Sequence, residues 1–181
     1  MKKIILSSLS LLFITATAFS QTTVMVGGAA MYPTKNIIEN AINSKDHTTL
    51  VAAVKAAGLV ETLQSAGPFT VFAPTNDAFN KLPTGTVDNL LKPENKNTLS
   101  AVLTYHVLAG NFSSAAVAKA IKAGKGKAEF KTVQGGVLWA MMVGEDVVLK
   151  DEKGNTSKIT IMDVNQSNGV IHVIDAVVMP K

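Results

Sequence analysis

The chain has 181 residues and no cysteine. The absence of cysteine excludes disulfide bonds, thiol catalysis and metal sites built on thiolates. A domain of this size does not need disulfides, because it buries enough apolar surface to be stable without them. Arginine is absent too, so every basic residue is a lysine. Arginine supplies the planar fork that pairs with bases and phosphates at two points, and we therefore expect no nucleic-acid partner.

Long apolar runs are also absent, apart from one at the amino terminus. Lys2 and Lys3 precede an apolar stretch over residues 4–19, which is shorter than the roughly 20 residues that span a bilayer. Ala18 and Ser20 fit a signal-peptidase site. We expect residues 1–20 to be a signal peptide that is cleaved after about Ser20, which leaves a secreted or periplasmic protein without stable membrane insertion. An uncleaved anchor is the alternative interpretation.

Positive charge is in only modest excess once the signal peptide is removed. Without Lys2 and Lys3, 15 lysines stand against 13 acidic residues, which is a net charge of +2. One stretch is nevertheless strongly basic and is a candidate contact for acidic polymers or anionic surfaces. The alternative is a solvated helix end and loop. This lysine cluster consists of Lys119, Lys122, Lys125, Lys127 and Lys131.

The pattern of apolar residues divides the mature chain into three parts. Residues 21–35 contain glycine and proline without a clear period and predict a flexible leader. Helical spacing between residues 37 and 123 predicts a series of short helices. Helices followed by a strand meander indicate one α+β domain over residues 36–181. From residue 128 onward, apolar runs between turn residues predict strands at 129–133, 137–143, 146–150, 157–164 and 169–179.

The last of these predicted strands is apolar on both of its faces. A strand that is covered on both sides belongs to the interior of a sheet rather than to its edge. We therefore expect residues 169–179 to form a central strand.

Three histidines, His47, His106 and His172, are the candidates for proton transfer. A Ser-His-Asp arrangement requires a serine on a strained turn and an oxyanion site, and no Gly-x-Ser-x-Gly segment is present. His172 and Asp175 are three apart on a predicted strand, so their side chains point to opposite faces. We therefore predict that the histidines are packed and hydrogen-bonded and that the protein has no catalytic residues.

No motif indicates a metal or cofactor site. The acidic segment at residues 151–155 lacks the alternating ligands of a calcium loop and predicts a hairpin turn instead. The glycine-lysine repeat at residues 124–127 lacks the upstream strand and the spacing of a phosphate loop. Glycoside hydrolysis needs two opposed carboxylates, and the sequence nominates no such pair. We expect neither a metal nor a cofactor.

Two segments combine a turn with an apolar strand. Residues 67–79 read GPFTVFAPTNDAF, in which Gly67-Pro68 marks a turn and Thr75 is placed to cap a helix. Residues 168–178 read NGVIHVIDAVV, in which Asn168-Gly169 is a turn pair before an unbroken apolar strand.

Tyr105 and His106 lie between these segments, and the three features together closely resemble the fasciclin domain family. The resemblance covers nearly the whole mature chain, from about residue 36 to residue 179. It implies a fasciclin-like wedge, in which β-sandwich-like antiparallel sheets carry a group of helices along one edge. It also implies an extracellular or surface module that mediates adhesion and has no defining catalytic activity or cofactor.

The resemblance also suggests candidate partner-binding residues. Tyr105 and His106 match a Tyr-His motif that is linked to receptor binding in animal members of the family. Asp163 and Val164 fall where those members carry an Asp-Ile motif, although valine replaces isoleucine here and the preceding residues differ. For both motifs, packing within the core is the alternative.

We therefore predict a secreted or periplasmic adhesion module that recognises an extracellular or surface protein, or a polysaccharide, through its surface. Two alternatives are left open. One is a carrier that holds a small ligand in a pocket between the helices and the sheet. The other is a small hydrolase that uses His106 or His172.

Overall fold

A computed structural model describes residues 23–181, and the expected signal peptide over residues 1–20 lies outside the described residues. The helices are α1 (Ile37–Ala41), α2 (Thr48–Ala57), α3 (Val60–Gln64), α4 (Asn76–Asn80), α5 (Thr86–Leu90), α6 (Lys96–Tyr105) and α7 (Ser114–Ala123). The strands are β1 (Val24–Val26), β2 (Ala29–Met31), β3 (Phe69–Pro74), β4 (Val107–Ala109), β5 (Lys127–Lys131), β6 (Val137–Val143), β7 (Asp146–Lys150), β8 (Thr156–Gln166) and β9 (Gly169–Ile174). Short 3₁₀ turns at Lys45–His47 and Pro93–Asn95 precede α2 and α6.

The larger sheet has seven strands in the order β4-β3-β9-β8-β7-β6-β5. Its neighbours are antiparallel except for β3 and β9, which pair in parallel from Phe69 opposite Gly169 to Pro74 opposite Ile174. The α+β class is confirmed, and this parallel pair is a departure from the expected antiparallel arrangement. Because β3 and β9 belong to the two segments singled out above, those distant segments are direct neighbours in space.

The two edges of this sheet meet. Leu108 in β4 forms an antiparallel bridge with Thr132, the residue after β5. The Val133 N–H donates to the Val107 carbonyl at 2.8 Å. The sheet therefore curls until β4 and the end of β5 are hydrogen-bonded, which leaves fewer unpaired backbone groups open to another chain.

Strand β9 lies between β3 and β8, and each of its residues from Gly169 to Ile174 is buried. The prediction of a central strand is confirmed. The strand ends before the predicted residue 179, because the Asp175 carboxylate accepts the Lys158 N–H at 2.8 Å in place of a ladder carbonyl. At its start, Gly169 has a φ of +158°, and a Cβ there would lie 2.0 Å from the Phe69 carbonyl oxygen. Only glycine permits this approach of β3.

Buried side chains form two clusters, because successive residues of a strand point to opposite faces. In β3, Val71 and Ala73 face the helices, whereas Phe72 faces away from them. The helix-side core includes Ile38, Leu50, Val54, Leu63, Val71, Leu103, Ile171 and Val173. The strand-side core includes Phe72, Tyr105, Leu108, Val117, Phe130, Leu138, Leu149 and Ile174.

Residues 23–35 differ from the flexible leader predicted for this region. Strands β1 and β2 form a hairpin, and its Val26 and Met31 are buried in the helix-side core. Met25 and Tyr32 are exposed. Each strand is only three residues long, so the alternation of buried and exposed residues is too short to be recognised as a period in the sequence.

Side-chain oxygens cap two helices, at Thr75 as predicted and also at Ser113. The Thr75 Oγ1 atom accepts from the Ala78 N–H at 3.2 Å at the start of α4. The Ser113 Oγ atom accepts from the Ala116 N–H at 3.3 Å at the start of α7. Tyr105 is the last residue of helix α6, and β4 starts at Val107.

Candidate functional site

His106 lies between two backbone groups in the interior. It follows the last residue of α6, and its Nδ1–H donates to the Val102 carbonyl at 2.8 Å. Its Nε2 accepts from the Val178 N–H at 3.2 Å, which fixes this tautomer. Burial lowers the pKa of His106 to about 4, against smaller opposing effects of the Val102 hydrogen bond and Asp151. The ring is therefore neutral at physiological pH and connects α6 to the carboxy-terminal segment.

Tyr105 is fully buried, and its hydroxyl joins two hairpins. The hydroxyl donates to the Val137 carbonyl at 2.6 Å and accepts from the Glu152 N–H at 3.2 Å. Burial raises the pKa of Tyr105 to about 12, although the Glu152 hydrogen bond acts in the opposite direction. The phenol is therefore protonated and serves as a cross-link between β6 and the turn after β7.

His172, in the middle of β9, is fully buried and also has both ring nitrogens engaged. Its Nδ1 accepts from the Asp163 N–H at 3.3 Å, and its Nε2–H donates to the Phe112 carbonyl at 2.8 Å. The ring stacks on Phe72 at a centroid distance of 5.8 Å. Burial lowers the pKa of His172, and the Phe112 hydrogen bond and Asp163 oppose this only in part.

Asp163 lies at an irregularity in β8, where the register with β9 shifts. Its φ of +57° is in the left-handed region, which aspartate tolerates better than most residues. Its carboxylate accepts from the Ser114 N–H at 2.7 Å and from the Ser114 hydroxyl. The negative charge thus sits at the start of α7, where it stabilises the helix and attaches it to the sheet. The adjacent Val164 is a buried residue of the helix-side core.

The four residues predicted to bind a partner are therefore mostly interior. Tyr105, His106 and Val164 are 0%, 2% and 1% exposed, and Asp163 is partly buried. Partner binding through these residues stays a prediction. The burial of three of them favours the packing alternative for both motifs.

The histidines named for the hydrolase alternative have no serine or carboxylate partner. The partners of His106 and His172 are backbone groups throughout. Asp175 instead accepts hydrogen bonds from Lys158, Ser157 and Lys81. Burial alone would raise the pKa of Asp175, but these hydrogen bonds and the Lys81 charge together lower it. His172 and Asp175 are therefore not hydrogen-bonded to each other and do not form a proton relay.

The segment at residues 151–155 forms the predicted hairpin turn between β7 and β8. The buried Asp151 carboxylate accepts from the N–H groups of Lys153, Asn155 and Met179 and from the Asn155 amide. The Asp151 carboxylate therefore stabilises the turn and attaches the carboxy-terminal segment to it through the Met179 N–H. Across residues 23–181, no group of three or more histidine, aspartate or glutamate side chains is arranged to hold a metal ion.

The lysine cluster lies on the surface around the end of α7 and along β5. All five of its side chains are exposed. The Lys127 ammonium lies 4.5 Å from the centre of the Trp139 ring on the neighbouring strand β6. The Trp139 indole N–H donates to a Glu129 carboxylate oxygen at 3.2 Å. Lys127 thus connects the cluster to a partly exposed aromatic ring, that of the chain's one tryptophan. Nothing in the charge pattern of the sequence pointed to Trp139.

A second unpredicted feature is a Ser-His pair before α2. His47 is 3% exposed, and its Nδ1 lies 2.8 Å from the Ser44 hydroxyl oxygen. Its buried Nε2 has no hydrogen-bond partner among the residues the structure describes. Burial lowers the pKa of His47, while the backbone of Ala73 and the charge of Asp46 oppose the shift. In the sequence, this pair is indicated only by the three-residue spacing between Ser44 and His47.

Comparison with known proteins agrees with this architecture. A family model described as the fasciclin domain matches residues 45–180, which is most of the chain. This chain belongs to the fasciclin domain family. The predicted resemblance is therefore confirmed, and in this fasciclin domain the Tyr105-His106 pair and strands β3 and β9 form part of the interior.

Relatives of this fasciclin chain occur in cyanobacteria and mycobacteria. Protein sll1483 of Synechocystis sp. is 46% identical over 165 residues, which cover 89% of this chain and 82% of the relative. The immunogenic protein MPB70 of Mycobacterium bovis is 37% identical over 145 residues, 77% of this chain and 66% of its own length. The cell surface glycolipoprotein MPB83 of Mycobacterium bovis is 34% identical over 160 residues, 86% of this chain and 64% of its own length.

A solved structure shows the same fold. The FAS1 domain pair from the insect cell adhesion molecule fasciclin I matches with a TM-score of 0.68 at 16% sequence identity. The match covers 78% of this chain and 50% of the insect chain. The fasciclin fold with its helices and strands is thereby confirmed. Within residues 23–181, no helix is both long and apolar enough to cross a membrane.

Proposed function

We propose that this fasciclin protein is a secreted or periplasmic, non-catalytic binding module that adheres to an acidic extracellular polysaccharide through the lysine cluster and Trp139. The observation that carries the proposal is the Lys127 ammonium, which lies 4.5 Å from the centre of the partly exposed Trp139 ring and belongs to a stretch of chain with four further exposed lysines.

The chemistry of this surface suits an acidic sugar polymer. Lysine ammonium groups attract carboxylates and sulfates without fixed geometry, and an indole ring offers an apolar face on which a sugar ring can stack. Lys127 lies over Trp139 in the free protein, and its exposed side chain is free to rotate towards an acidic group when a sugar takes its place. Interactions between exposed charges are screened by salt, so binding should weaken as the ionic strength rises.

The interior supports a non-catalytic role. The ring nitrogens of His106 and His172 are hydrogen-bonded to backbone groups. The Tyr105 hydroxyl is hydrogen-bonded to the backbone of Val137 and Glu152. In this proposal these residues position the strands that carry the binding face and do not touch the partner.

Relatives and structural neighbours give further support. One relative is named a cell surface glycolipoprotein, and the insect neighbour is a cell adhesion molecule. If the chain is exported, as residues 1–20 suggest, fractionation should place it in the periplasm or medium with Gln21 as its first residue. A cytosolic protein that retains Met1 would contradict export.

The binding proposal is tested with immobilised alginate, an acidic polysaccharide, and with dextran, a neutral one. We expect the protein to bind alginate and not dextran, to bind more weakly in high salt, and to bind equally well with a metal chelator present. Calcium-dependent binding, or equal binding to dextran, would overturn the proposal. Binding to an acidic protein but not to alginate would also overturn it in favour of a protein partner.

Matched variants separate the contribution of the lysine cluster to alginate binding from the contribution of net charge. Replacing Lys119, Lys122 and Lys125 with glutamine should weaken alginate binding at least about tenfold, because three charges leave the lysine cluster. The control replaces the exposed Lys92, Lys96 and Lys153 with glutamine and removes the same charge elsewhere. Equal losses in the two triple variants would show a general charge effect and would contradict a defined face.

A further inference from the structure

Strands β5, β6 and β7 have one side in the strand-side core and the other side towards solvent. The buried side carries alternate residues, among them Phe130, Leu138 and Leu149. Because successive residues of a strand point to opposite faces, the residues between them form a second face, which we call the outward sheet face. Its central residues are Lys127, Glu129, Trp139, Met141, Val148 and Lys150.

Strand pairing places these side chains in two rows that cross the sheet. In the first row, Trp139 of β6 lies directly between Glu129 of β5 and Lys150 of β7. In the second row, Met141 lies opposite Lys127 of β5. Side chains directly opposite each other on neighbouring antiparallel strands have Cβ atoms about 5 Å apart. The partly exposed indole ring and Met141 therefore form an apolar centre, with a lysine on the strand at either side.

The charged groups around the indole ring are engaged in different ways. Glu129 accepts the indole N–H at 3.2 Å, which fixes the ring by its edge and not by its faces. The Lys127 ammonium lies 4.5 Å from the ring centre. Lys150 is exposed, and neither it nor Lys127 forms a salt bridge with any residue in the described range 23–181. Two cations without a carboxylate partner thus flank one aromatic ring, an arrangement that complements an acidic molecule with an apolar face.

The direction across the strands leads from Lys150 to the lysine cluster. Neighbouring strands are about 4.8 Å apart, so Lys150 on β7 and Lys127 on β5 are separated by two strand spacings, or about 10 Å, in this direction. Lys127 is the first residue of β5 and follows the end of α7 after residues 124–126. It therefore belongs both to the outward sheet face and to the lysine cluster. A linear polymer that crosses β7, β6 and β5 would continue towards the other lysines of the cluster.

We propose that the acidic polysaccharide crosses β7, β6 and β5 on the outward sheet face, with one sugar ring stacked on Trp139. Lys150 on one side and Lys127 on the other bind the acidic groups of the neighbouring sugars. Glu129 is a positioning residue that fixes the indole ring. This inference rests on the function proposed above, and it adds Lys150, Glu129 and the direction of the polymer to it.

The fluorescence of Trp139 tests this placement directly, because Trp139 is the chain's one tryptophan. Titration with alginate should change the tryptophan emission and should protect the ring from quenching by acrylamide, whereas dextran should do neither. If the protein does not bind alginate at all, the proposed function fails and this inference fails with it. If alginate binds while emission and quenching stay unchanged, the polymer does not cover Trp139, and the inference is overturned.

A matched pair of lysine variants tests the direction of the polymer. Lys150→Gln should weaken alginate binding about threefold to fivefold, which is the effect of one exposed charge contact. Lys92→Gln removes the same charge from an exposed position between α5 and α6 and should leave the affinity unchanged. Equal affinities of the two variants would overturn the crossing towards β7. In that case wild-type binding to alginate would still stand, so the proposed function would survive the failure of this inference.

Two substitutions of Glu129 separate its hydrogen bond from its charge. Glu129→Gln and Glu129→Ala both remove a negative charge beside the lysines, but only glutamine retains an oxygen that can accept the indole N–H. The alanine variant should therefore bind alginate about threefold more weakly than the glutamine variant, the effect of one net hydrogen bond. Acrylamide should also quench Trp139 differently in the two free proteins. Equal affinities would overturn the positioning role of Glu129.

Discussion

The helix-side core and the strand-side core lie on two faces of the same strands, yet they are packed differently. In the strand-side core, Leu138, Leu149 and Ile174 have no exposed surface, and the Tyr105 hydroxyl both donates and accepts a hydrogen bond. The helix-side core surrounds a cavity of about 80 Å³, and there the His47 Nε2 has no hydrogen-bond partner among residues 23–181. One face of the sheet thus satisfies its buried polar groups, and the other retains free volume beside an unpartnered polar atom.

This difference has a physical origin in the elements on each face. The strand-side core is enclosed by strands β3 to β9 with α7, and strand spacing is set by backbone hydrogen bonds, so side chains interdigitate closely. The helix-side core is covered by helices of five to ten residues that cross the sheet and one another. Short helices leave gaps where they diverge. The cavity lies among α1, α2, α3 and α6, where such gaps are expected.

The largest expected effect compares the two cores by the same substitution. Leu138→Ala should reduce the free energy of unfolding by about 4 kcal/mol, because its neighbours cannot collapse into the space. Leu50→Ala should cost about 2 kcal/mol, because Leu50 lines an existing cavity and makes fewer contacts to lose. Urea unfolding of both variants measures the difference. Equal costs would show that the two cores are packed alike.

The second comparison uses two buried histidines. His106→Ala should cost about 3 kcal/mol, since it orphans the Val178 N–H and the Val102 carbonyl and leaves a cavity. His47→Ala also leaves a cavity, but it loses only one hydrogen bond, to Ser44, and removes an unpartnered nitrogen, so it should cost about 2 kcal/mol. The measurement is again the free energy of unfolding in urea. A His47 variant as unstable as the His106 variant would indicate a partner for the His47 Nε2.

The smallest expected effect is a pH dependence of the free energy of unfolding, which arises mainly from the buried His106. The pKa of His106 is about 4 in the folded protein and about 6.5 in an unfolded chain. Between these values the unfolded chain binds more protons, so the free energy of unfolding decreases as the pH falls. From pH 7 to pH 5 the loss through His106 should be about 2 kcal/mol. His47 and His172, whose pKa values are also lowered, act in the same direction.

Urea unfolding at several pH values between 7 and 5 measures this loss. The range lies above that in which Asp175 is protonated, since the pKa of Asp175 is below its ordinary value. His106→Phe should flatten the profile, because the group that fails to bind a proton in the folded state is gone. A free energy of unfolding that is constant, or that rises as the pH falls, would contradict the buried, neutral state of His106.

Local features of the fold were predictable because they depend on neighbours in the chain. The bounds of β6 and β7 match the predicted strands at 137–143 and 146–150. The caps at Thr75 and Ser113 and the turn at residues 151–155 also follow from short-range chemistry. A side-chain oxygen next to free helix N–H groups, or an aspartate at the start of a turn, acts within a few residues.

The candidate sites were less predictable. The lysine cluster was visible as a charge pattern, but its continuity with Trp139 depends on the pairing of β5 with β6. Tyr105 and His106 were recognised as a motif, yet only their surroundings place them in the interior. The cavity could be anticipated only as a pocket between helices and sheet, because its lining comes from the packing of α2 against α1, α3 and β3.

The amino-acid sequence by itself determined the composition of the two halves, the ends of several helices and strands, and the central position of β9. Apolar periodicity and turn residues are local features, so a short stretch of sequence is enough to recognise them. Tertiary structure alone decided the parallel pairing of β3 with β9, the meeting of β4 with the end of β5, and the docking of the β1–β2 hairpin. The reason is that these contacts join residues distant in sequence. Their free energy comes from surfaces buried jointly by several elements, and no short stretch of the chain contains that information.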